Sequence, residues 1–269
     1  MNNRILKLPI FLKPEYETKL IRIGKDNDGG YLISEASLKS SKILQSFGIS
    51  DDWSFDEDFY NKSKSKVFAY DPSVNWKFWT KKIFIDLKDI FLFKKKSFKE
   101  IMNIFLYFKY KKFFNNTDKI HVQKLIATKG TIILGFQNDQ ITDLDDIMND
   151  INEKNTFFKI DIEGGEYKIL DQIIKYQKYM TGLAIEFHDC DLHQKSIEKF
   201  IINFELQLVH IHVNNWGLTN NDDFPPVIEI TFSPKEFNTK IIDNSKSYPL
   251  SIDQPCNPEQ EDNLIKFFN

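Results

Sequence analysis

Residues 157–170 read FFKIDIEGGEYKIL, and this stretch decides the fold class. Its first six residues are rich in aromatic and β-branched side chains, which is typical of a buried strand. An acidic, glycine-containing turn follows, and from Glu166 the apolar residues recur at helical spacing. The stretch therefore predicts a strand, a polar turn and a helix, which together form the repeating unit of a parallel α/β sheet.

The same unit recurs along the chain. Strands are predicted at 42–48, 66–71, 122–128, 157–162, 183–188, 206–213 and 227–232. Helices are predicted at 53–62, 143–152, 166–180 and 191–204. This alternation predicts an α/β fold with a Rossmann-like, doubly wound and mostly parallel seven-stranded sheet of the class I methyltransferase type.

Two regions depart from the alternation, and the length of 269 residues favours a single domain that carries both. In the N-terminal extension, about 1–40, Asp28-Gly29-Gly30 lies between strand-like triplets and predicts a hairpin turn. In the insertion, about 73–120, densely mixed lysines and aromatic residues predict one or two amphipathic helices packed on the domain. An acceptor-site lid or an oligomer contact is the alternative role for this insertion.

Composition restricts the function classes. The net charge is -3 with a pI near 6.0, which gives no general attraction for nucleic acid. The first apolar run is broken by Lys13 and Pro14, too early for a signal peptide, and no run is long enough to span a membrane. Cys190 and Cys256 have no metal-ligand partners at short spacing, which argues against a disulfide framework or a zinc ribbon. We expect a cytoplasmic protein that acts on small molecules.

Ligands of open parallel sheets bind beyond the carboxyl ends of the strands. The first strand is followed there by Gly48 and Ser50, the second by Asp71-Pro72, and the third ends at Thr128. Asp71 occupies the position at which Rossmann-like folds hold ribose hydroxyls. The dinucleotide fingerprint G-x-G-x-x-G is missing, whereas S-adenosylmethionine carries no phosphate and needs no such loop. These residues are therefore the predicted cofactor contacts.

The stretch from Lys159 to Glu166 resembles the signature of the FkbM-type methyltransferases, which reads close to K-I-D-hydrophobic-E-G-small-E before a helix. The chain matches it at Lys159, Ile160, Asp161, Glu163, Gly164 and Glu166, and the similarity extends from about residue 20 to 233. The first loop departs from the family, since SFGISDD replaces the usual Asp-x-Gly-Ala-Asn. The resemblance implies a Rossmann-like fold, S-adenosylmethionine as methyl donor, and O-methylation of a sugar, a nucleotide-linked sugar or a related precursor.

Methyl transfer to a hydroxyl requires a group that removes the proton. Candidates follow three strands: Asp161 after the fourth, Glu186 and His188 after the fifth, and His212 after the sixth. Glu186 and His188 share a face of their strand, and the ordinary pKa of histidine suits His188 as the base. Asp161, Glu186 and His188 could also bind a divalent ion such as magnesium.

Asp161 and Glu163, which both follow the fourth strand, have alternative roles. Asp161 could accept a hydrogen bond from the amino group of the donor, and Glu163 could cap the following helix. A metal-dependent nucleotide-sugar glycosyltransferase is the main rival, because Asp189 and Asp191 form a D-x-D triplet. A non-catalytic binding module is the third class.

Overall fold

The computed structural model describes residues 5–91, 102–151, 153–216, 224–241 and 246–268. Its strands are β1 (Ile5–Pro9), β2 (Tyr16–Glu17), β3 (Leu20–Ile23), β4 (Tyr31–Ser34), β5 (Ile43–Phe47), β6 (Lys66–Tyr70), β7 (Lys119–Val122), β8 (Leu125–Ile126), β9 (Ile141–Thr142), β10 (Thr156–Ile160), β11 (Met180–Phe187), β12 (Gln207–Val213), β13 (Ile228–Ser233), β14 (Thr239–Lys240) and β15 (Leu264–Phe268). Its α-helices are α1 (Glu35–Ser40), α2 (Ser54–Ser63), α3 (Trp76–Phe91), α4 (Met102–Phe114), α5 (Leu144–Asp150), α6 (Leu170–Tyr176) and α7 (Cys190–Asn203).

The central sheet has seven strands in the order β12-β13-β11-β10-β5-β6-β7. β13 runs antiparallel to both of its neighbours, and the remaining pairs are parallel. Strand order reverses between β5 and β10, so loops from both halves of the sheet meet at the carboxyl ends of these two strands. This arrangement confirms the predicted α/β fold with a mostly parallel, seven-stranded, Rossmann-like sheet of the class I methyltransferase type.

Apolar side chains cover both faces of the sheet, which explains why the central strands are buried throughout. One face packs against α1, α2 and the β3–β4 hairpin through residues such as Leu38 and Phe59. The other face packs against α5, α6 and α7 through residues such as Ile173 and Phe200. The sheet is therefore doubly wound.

Short strand pairs surround the central sheet. β3 and β4 form an antiparallel hairpin whose turn contains Asp28-Gly29-Gly30, and the Thr231 hydroxyl on β13 donates a hydrogen bond to the Leu32 carbonyl on β4. β1 pairs in parallel with β15 near the end of the chain. The hairpin therefore lies against the face of the sheet, where its turn can reach the strand ends.

The insertion contains α3 and α4, and residues 92–101 between them lie outside the described part of the chain. Trp79, Tyr110 and Phe113 are buried in a cluster with Ile49 and Trp53 from the loop after β5. Lys82 forms an ion pair with Asp51 in the same loop. Other aromatic residues of this helix pair, such as Phe84, Phe105 and Phe108, are exposed. The insertion thus packs directly on the first loop of the domain.

One strand lies in a different place from the predicted one. The prediction put the third sheet strand at 122–128, whereas the sheet strand is β7 at Lys119–Val122. The chain turns directly after it, because the Lys124 amide donates to the Val122 carbonyl at 2.8 Å. β8 then pairs with β9 outside the central sheet. The apolar residues on both sides of this turn read as one strand in the sequence, which explains the error.

Within the described residues, no helix is long and apolar enough to cross a membrane. The cytoplasmic location and the single-domain organisation stay predictions.

Candidate functional site

A cavity of about 710 Å³ opens at the carboxyl ends of β5, β6, β10 and β11. Seven residues predicted for the site line it: Gly48, Ser50, Asp71, Pro72, Asp161, Glu186 and His188. Asp28 and Gly29 of the hairpin turn, Asn214 and Trp216 after β12, and the buried Lys159 also line it. The sheet topology therefore gathers residues from positions 28 to 216 around one space.

The first loop passes very close to the end of β10. Gly48 has a φ of +80°, and a Cβ atom on this residue would lie 1.7 Å from the Asp161 carbonyl oxygen. Only glycine tolerates both the positive φ and this approach. Gly48 therefore allows the loop to rest on the backbone that carries Asp161.

Lys159 connects the first loop to the end of β10. Its buried ammonium donates to the Gly48 carbonyl at 2.7 Å and to Asp161 Oδ2 at 3.1 Å. Burial alone would lower the pKa of Lys159, but the nearby carboxylates of Asp161 and Asp56 raise it above its usual value. Lys159 is therefore a fixed positive charge under the cavity.

Asp71 at the end of β6 supports the first loop. Its Oδ2 accepts from the amides of Ile49 and Ser50, at 3.1 and 2.8 Å, and its Oδ1 accepts from the amide and hydroxyl of Ser73, at 2.8 and 2.6 Å. A carboxylate has about four acceptor positions. A ribose hydroxyl can therefore reach Asp71 only by replacing one of these donors, and the Ser73 hydroxyl is the one that can rotate away.

The phenol hydroxyl of Tyr31 contacts two carboxylates of the cavity. The Tyr31 hydroxyl lies 2.8 Å from Glu186 Oε2 and 3.2 Å from Asp161 Oδ2. The Asn214 amide donates to the other oxygen of Glu186 at 3.0 Å. Burial, together with the charges of Asp161 and Glu229, raises the pKa of Glu186 to about 8. Near neutral pH this carboxyl is therefore able to hold or release a proton.

The imidazole of His188 lies next to Asp161 and Glu186. Its Nδ1 is 3.1 Å from Oε1 of the fully buried Glu166, which also accepts from the Ile162 amide. Its Nε2 faces three carboxylates, with Glu163 at 3.5 Å and Asp161 and Glu186 each at 3.9 Å. The ring is thus held by a buried acid on one side and directed at the cavity on the other.

This environment favours the protonated ring. Burial opposes the charge, but the hydrogen bond to Glu166 and the charges of Glu166, Glu186 and Asp161 raise the pKa of His188 to about 9. His188 is therefore largely an imidazolium at neutral pH. It can act as a base only after losing this proton, which a bound cation beside Nε2 would favour.

Four residues considered from the sequence do not line this cavity. His212 is buried on β12 and contacts Glu229 and Asp262 instead. Thr128 lies beyond β8, where its hydroxyl donates to the Lys168 carbonyl. Asp189 and Asp191, the D-x-D pair, lie at the start of α7 outside the cavity lining. Glu163 does not cap the following turn, because Glu166 accepts from the Ile162 amide there.

The sequence interpretation missed Tyr31 and Asp28, which come from the hairpin, and did not assign roles to Lys159 and Glu166. Lys159 and Glu166 belong to the stretch that resembles the FkbM signature, but the sequence does not show what they contact. For Tyr31 the only signal was its place directly after the Gly29-Gly30 turn. Its partners Asp161 and Glu186 are 130 and 155 residues away in the chain.

The cavity is strongly acidic. Eight of its lining residues are aspartate or glutamate and three are lysine. Two of the lysines are already paired, Lys25 with Asp52 and Lys159 with Asp161. Such a field attracts cationic ligands and repels phosphate groups.

No protein-family model matches the chain, and no curated protein matches it. Among solved structures, it is similar to a precorrin-6y C5,15-methyltransferase from Geobacter metallireducens, with 11% identity and a TM-score of 0.36 over 74% of this chain and 83% of that one. It is similar to an rRNA methylase from Streptococcus thermophilus at 11% identity and a TM-score of 0.36, and the match covers 74% of this chain and 90% of that one. It is also similar to the fibrillarin pre-rRNA processing protein from Methanococcus jannaschii, at 11% identity and a TM-score of 0.35, over 82% and 84%.

We expect Gly48→Ala to destabilise the protein clearly more than Gly130→Ala. Both glycines have positive φ, +80° and +83°, so both variants bear the backbone strain, roughly 1 kcal/mol. A Cβ atom at Gly130 meets no atom within 4 Å, whereas one at Gly48 collides with the Asp161 carbonyl. Denaturant unfolding measures both changes. Equal losses would mean that the loop moves freely away from β10.

We expect Glu166→Gln to lower the pKa of His188 from about 9 toward 6.5, the usual value for histidine, because it removes the hydrogen-bonded charge. A raised histidine pKa stabilises the fold fully below about pH 6.5, and this stabilisation is lost as the pH rises through about 9. The stability gap between wild type and variant should therefore shrink over that window. Histidine NMR titration and unfolding at several pH values measure both effects. An unchanged His188 pKa would contradict the role of Glu166.

Proposed function

We propose that the protein is an S-adenosylmethionine-dependent methyltransferase. The observation that carries this proposal is the acidic cavity at the switch in strand order of a Rossmann-like sheet. S-adenosylmethionine has a sulfonium, an ammonium and a carboxylate group and no phosphate, so its net charge is positive, which suits this field. Dinucleotides and nucleoside diphosphates carry the opposite charge.

The residues around the first loop fit the nucleoside part of this cofactor. Gly48 leaves the backbone open to close approach, and Ser50 and Pro72 line the cavity beside Asp71. Asp71 would accept a ribose hydroxyl in place of the Ser73 hydroxyl. Asp161 is partly exposed to the cavity and would accept a hydrogen bond from the amino group. When bound, the cofactor supplies a methyl group on a positively charged sulfur.

The acids and the imidazole at the end of β11 provide the acid–base chemistry for an O-methyltransferase. An acceptor hydroxyl that attacks the methyl group must lose its proton. His188 Nε2 points into the cavity among carboxylates, and Glu186, with a pKa of about 8, lies 3.9 Å from it. A cationic donor bound nearby would lower the pKa of His188 and prepare it to accept the proton. Glu166 keeps the ring in place.

For the acceptor we propose a hydroxyl of a sugar or a related glycan precursor. Trp216 at the cavity rim is 60% exposed, and its ring offers an apolar face with a polar edge, as sugar rings require. Asn214 lies beside it. The acidic lining disfavours acceptors whose phosphates must enter the cavity, so among the expected acceptors a neutral sugar fits better than a nucleotide-linked one, and nucleic acid fits poorly.

A divalent ion such as magnesium at Asp161, Glu186 and His188 remains part of the proposal. Ligand atoms of Asp161, Glu163 and His188 lie within 4.8 Å of one another. Such an ion would take the place of the proton on His188 Nε2 and lower the pKa of the acceptor hydroxyl. The glycosyltransferase alternative has no comparable support, since Asp189 and Asp191 lie outside the cavity lining.

We expect S-adenosylhomocysteine to raise the melting temperature of the protein, because a ligand that binds only the folded state stabilises it. At about 100 times its dissociation constant the gain is about 2.7 kcal/mol. A nucleoside-diphosphate sugar and NAD serve as matched controls and should give no shift. Stabilisation by the diphosphate sugar alone would contradict the proposal, as would no shift with any of the three ligands.

We expect His188→Ala to lower methyl-transfer turnover by about 10²–10⁴-fold with little effect on S-adenosylhomocysteine affinity, as for the loss of a general base. His193→Ala is the control, because His193 lies on α7 and stacks on Tyr167 at 4.0 Å. Wild-type turnover should rise with pH and level off below about 9, since the reactive ring is the deprotonated one and the bound donor lowers the pKa of His188.

Methyl transfer to a panel of neutral sugars provides the assay, run after chelation with and without added magnesium. Full turnover in His188→Ala with a pH profile centred near 8 would make Glu186 the base. Full turnover after chelation would remove the metal from the proposal.

A further inference from the structure

A second group of metal-binding side chains lies on the sheet beside the cavity. His212 on β12 is directly opposite Glu229 on β13, and Cys256 reaches both from the C-terminal segment, residues 246–268. All three residues are buried, and their ligand atoms lie within 4.8 Å of one another. This group is independent of the proposed methyl transfer, and we call it the β12–β13 cluster.

The distances in the β12–β13 cluster match those around a small tetrahedral ion. His212 Nδ1 is 3.2 Å from Glu229 Oε2, Cys256 Sγ is 3.4 Å from Glu229 Oε1, and Sγ is 4.0 Å from Nδ1. Zinc–ligand bonds of about 2.0–2.3 Å in a tetrahedron place neighbouring ligand atoms about 3.4–3.6 Å apart. The ligand atoms therefore need only small shifts to close on a common ion.

Each oxygen of Glu229 faces a different partner, Oε2 toward the imidazole and Oε1 toward the thiol. Either oxygen of Glu229 can therefore complete a set of three ligand atoms with Nδ1 and Sγ. A water molecule would take the fourth tetrahedral position. A mixed sulfur, imidazole and carboxylate set is suited to zinc rather than to magnesium or calcium.

The second nitrogen of His212 supports the same conclusion. Its Nε2 lies 2.9 Å from Asp262 Oδ2, so the Nε2–H donates to a carboxylate. This is the arrangement in which protein histidines bind metals, because the second carboxylate fixes the ring and leaves the other nitrogen free to coordinate. In the neutral ring, the Nδ1 lone pair would otherwise face the Glu229 carboxylate across 3.2 Å. A cation between the lone pair and the carboxylate removes their electrostatic repulsion. This cation is either a metal ion or a proton on the ring.

We propose that His212, Glu229 and Cys256 bind a zinc ion, with Asp262 orienting His212. The ion joins the C-terminal segment to the two strands at the edge of the sheet. The same segment has a second polar link to β12, since Asp253 lies 3.0 Å from His210. Zinc binding thus contributes to the docking of residues 253–262, which no strand pairing holds among the described residues.

Metal analysis and cobalt substitution of the full chain test the proposal. The purified protein should contain about one zinc ion per chain. After removal of the metal in denaturant and refolding with Co²⁺, it should show a thiolate-to-cobalt charge-transfer band and the visible bands of tetrahedral cobalt. The acids around His188 include no cysteine, so an ion bound there cannot give the charge-transfer band.

Cys256→Ser should abolish the charge-transfer band, whereas Cys190→Ser is the matched control, because Cys190 is the other buried cysteine and lies on α7. Asp262→Asn should keep the band but weaken zinc binding about 10–100-fold, as loss of a supporting carboxylate does. Wild type without zinc and without a cobalt band would overturn the proposal and leave a proton on His212. A band that persists in Cys256→Ser would overturn it as well.

Discussion

The buried ammonium of Lys159 is the interaction on which the candidate site depends. Five acids contribute to the charge there: Asp28 from the hairpin turn, Asp56 from α2, and Asp161, Glu186 and Glu229 from neighbouring strands and their ends. Burial raises the pKa values of Asp28, Asp56 and Glu186, and the charges of Asp161 and Glu229 raise those of Asp28 and Glu186 further. Buried carboxylates are costly unless paired. Lys159 binds the Gly48 carbonyl and Asp161 with the same group, so charge compensation and the close approach of the first loop are achieved together.

The remaining negative charge defines what the cavity can bind. Lys159 compensates one carboxylate, and Tyr31 and Asn214 satisfy the oxygens of Glu186 with neutral donors. An excess of acid therefore remains beside the imidazole of His188. A cationic donor would complete this charge distribution, and it would at the same time change the protonation of the groups that must accept the hydroxyl proton. Binding of the donor and activation of the acceptor are in this way electrostatically linked.

A row of polar residues crosses the sheet at this level. Glu186, Glu229 and His212 lie opposite one another on β11, β13 and β12, and Asp161 directly follows the neighbouring β10. Asp161 and Glu186 each have a cationic partner, since Lys159 lies beside Asp161 and His188 lies beside Glu186. The proposed zinc ion would place a second fixed positive charge at the far end of the row. Positive charges thus compensate buried carboxylates both in the cavity and, if zinc binds, in the β12–β13 cluster.

Most strands of the sheet, and the acids at their ends, could be predicted from the sequence alone. Buried strands are continuous apolar runs, and the period of two places Glu186 and His188 on one face wherever the strand lies. The sequence did not determine the third strand, because the turn at Lys124 interrupts a run that reads as continuous. It also could not separate His212 from His188, since both follow apolar strands and only strand order shows that β12 is at the edge.

The contacts of these residues could not be predicted from the sequence. Tyr31 joins Asp161 and Glu186, and Cys256 joins His212 and Glu229, across 27 to 155 residues of chain. Glu166 is three residues from Glu163 and of the same type, yet one is fully buried against His188 and the other has an 88% exposed side chain. Spacing in the sequence cannot make that distinction. It follows from the turn after β10, which directs neighbouring side chains to opposite sides of the backbone.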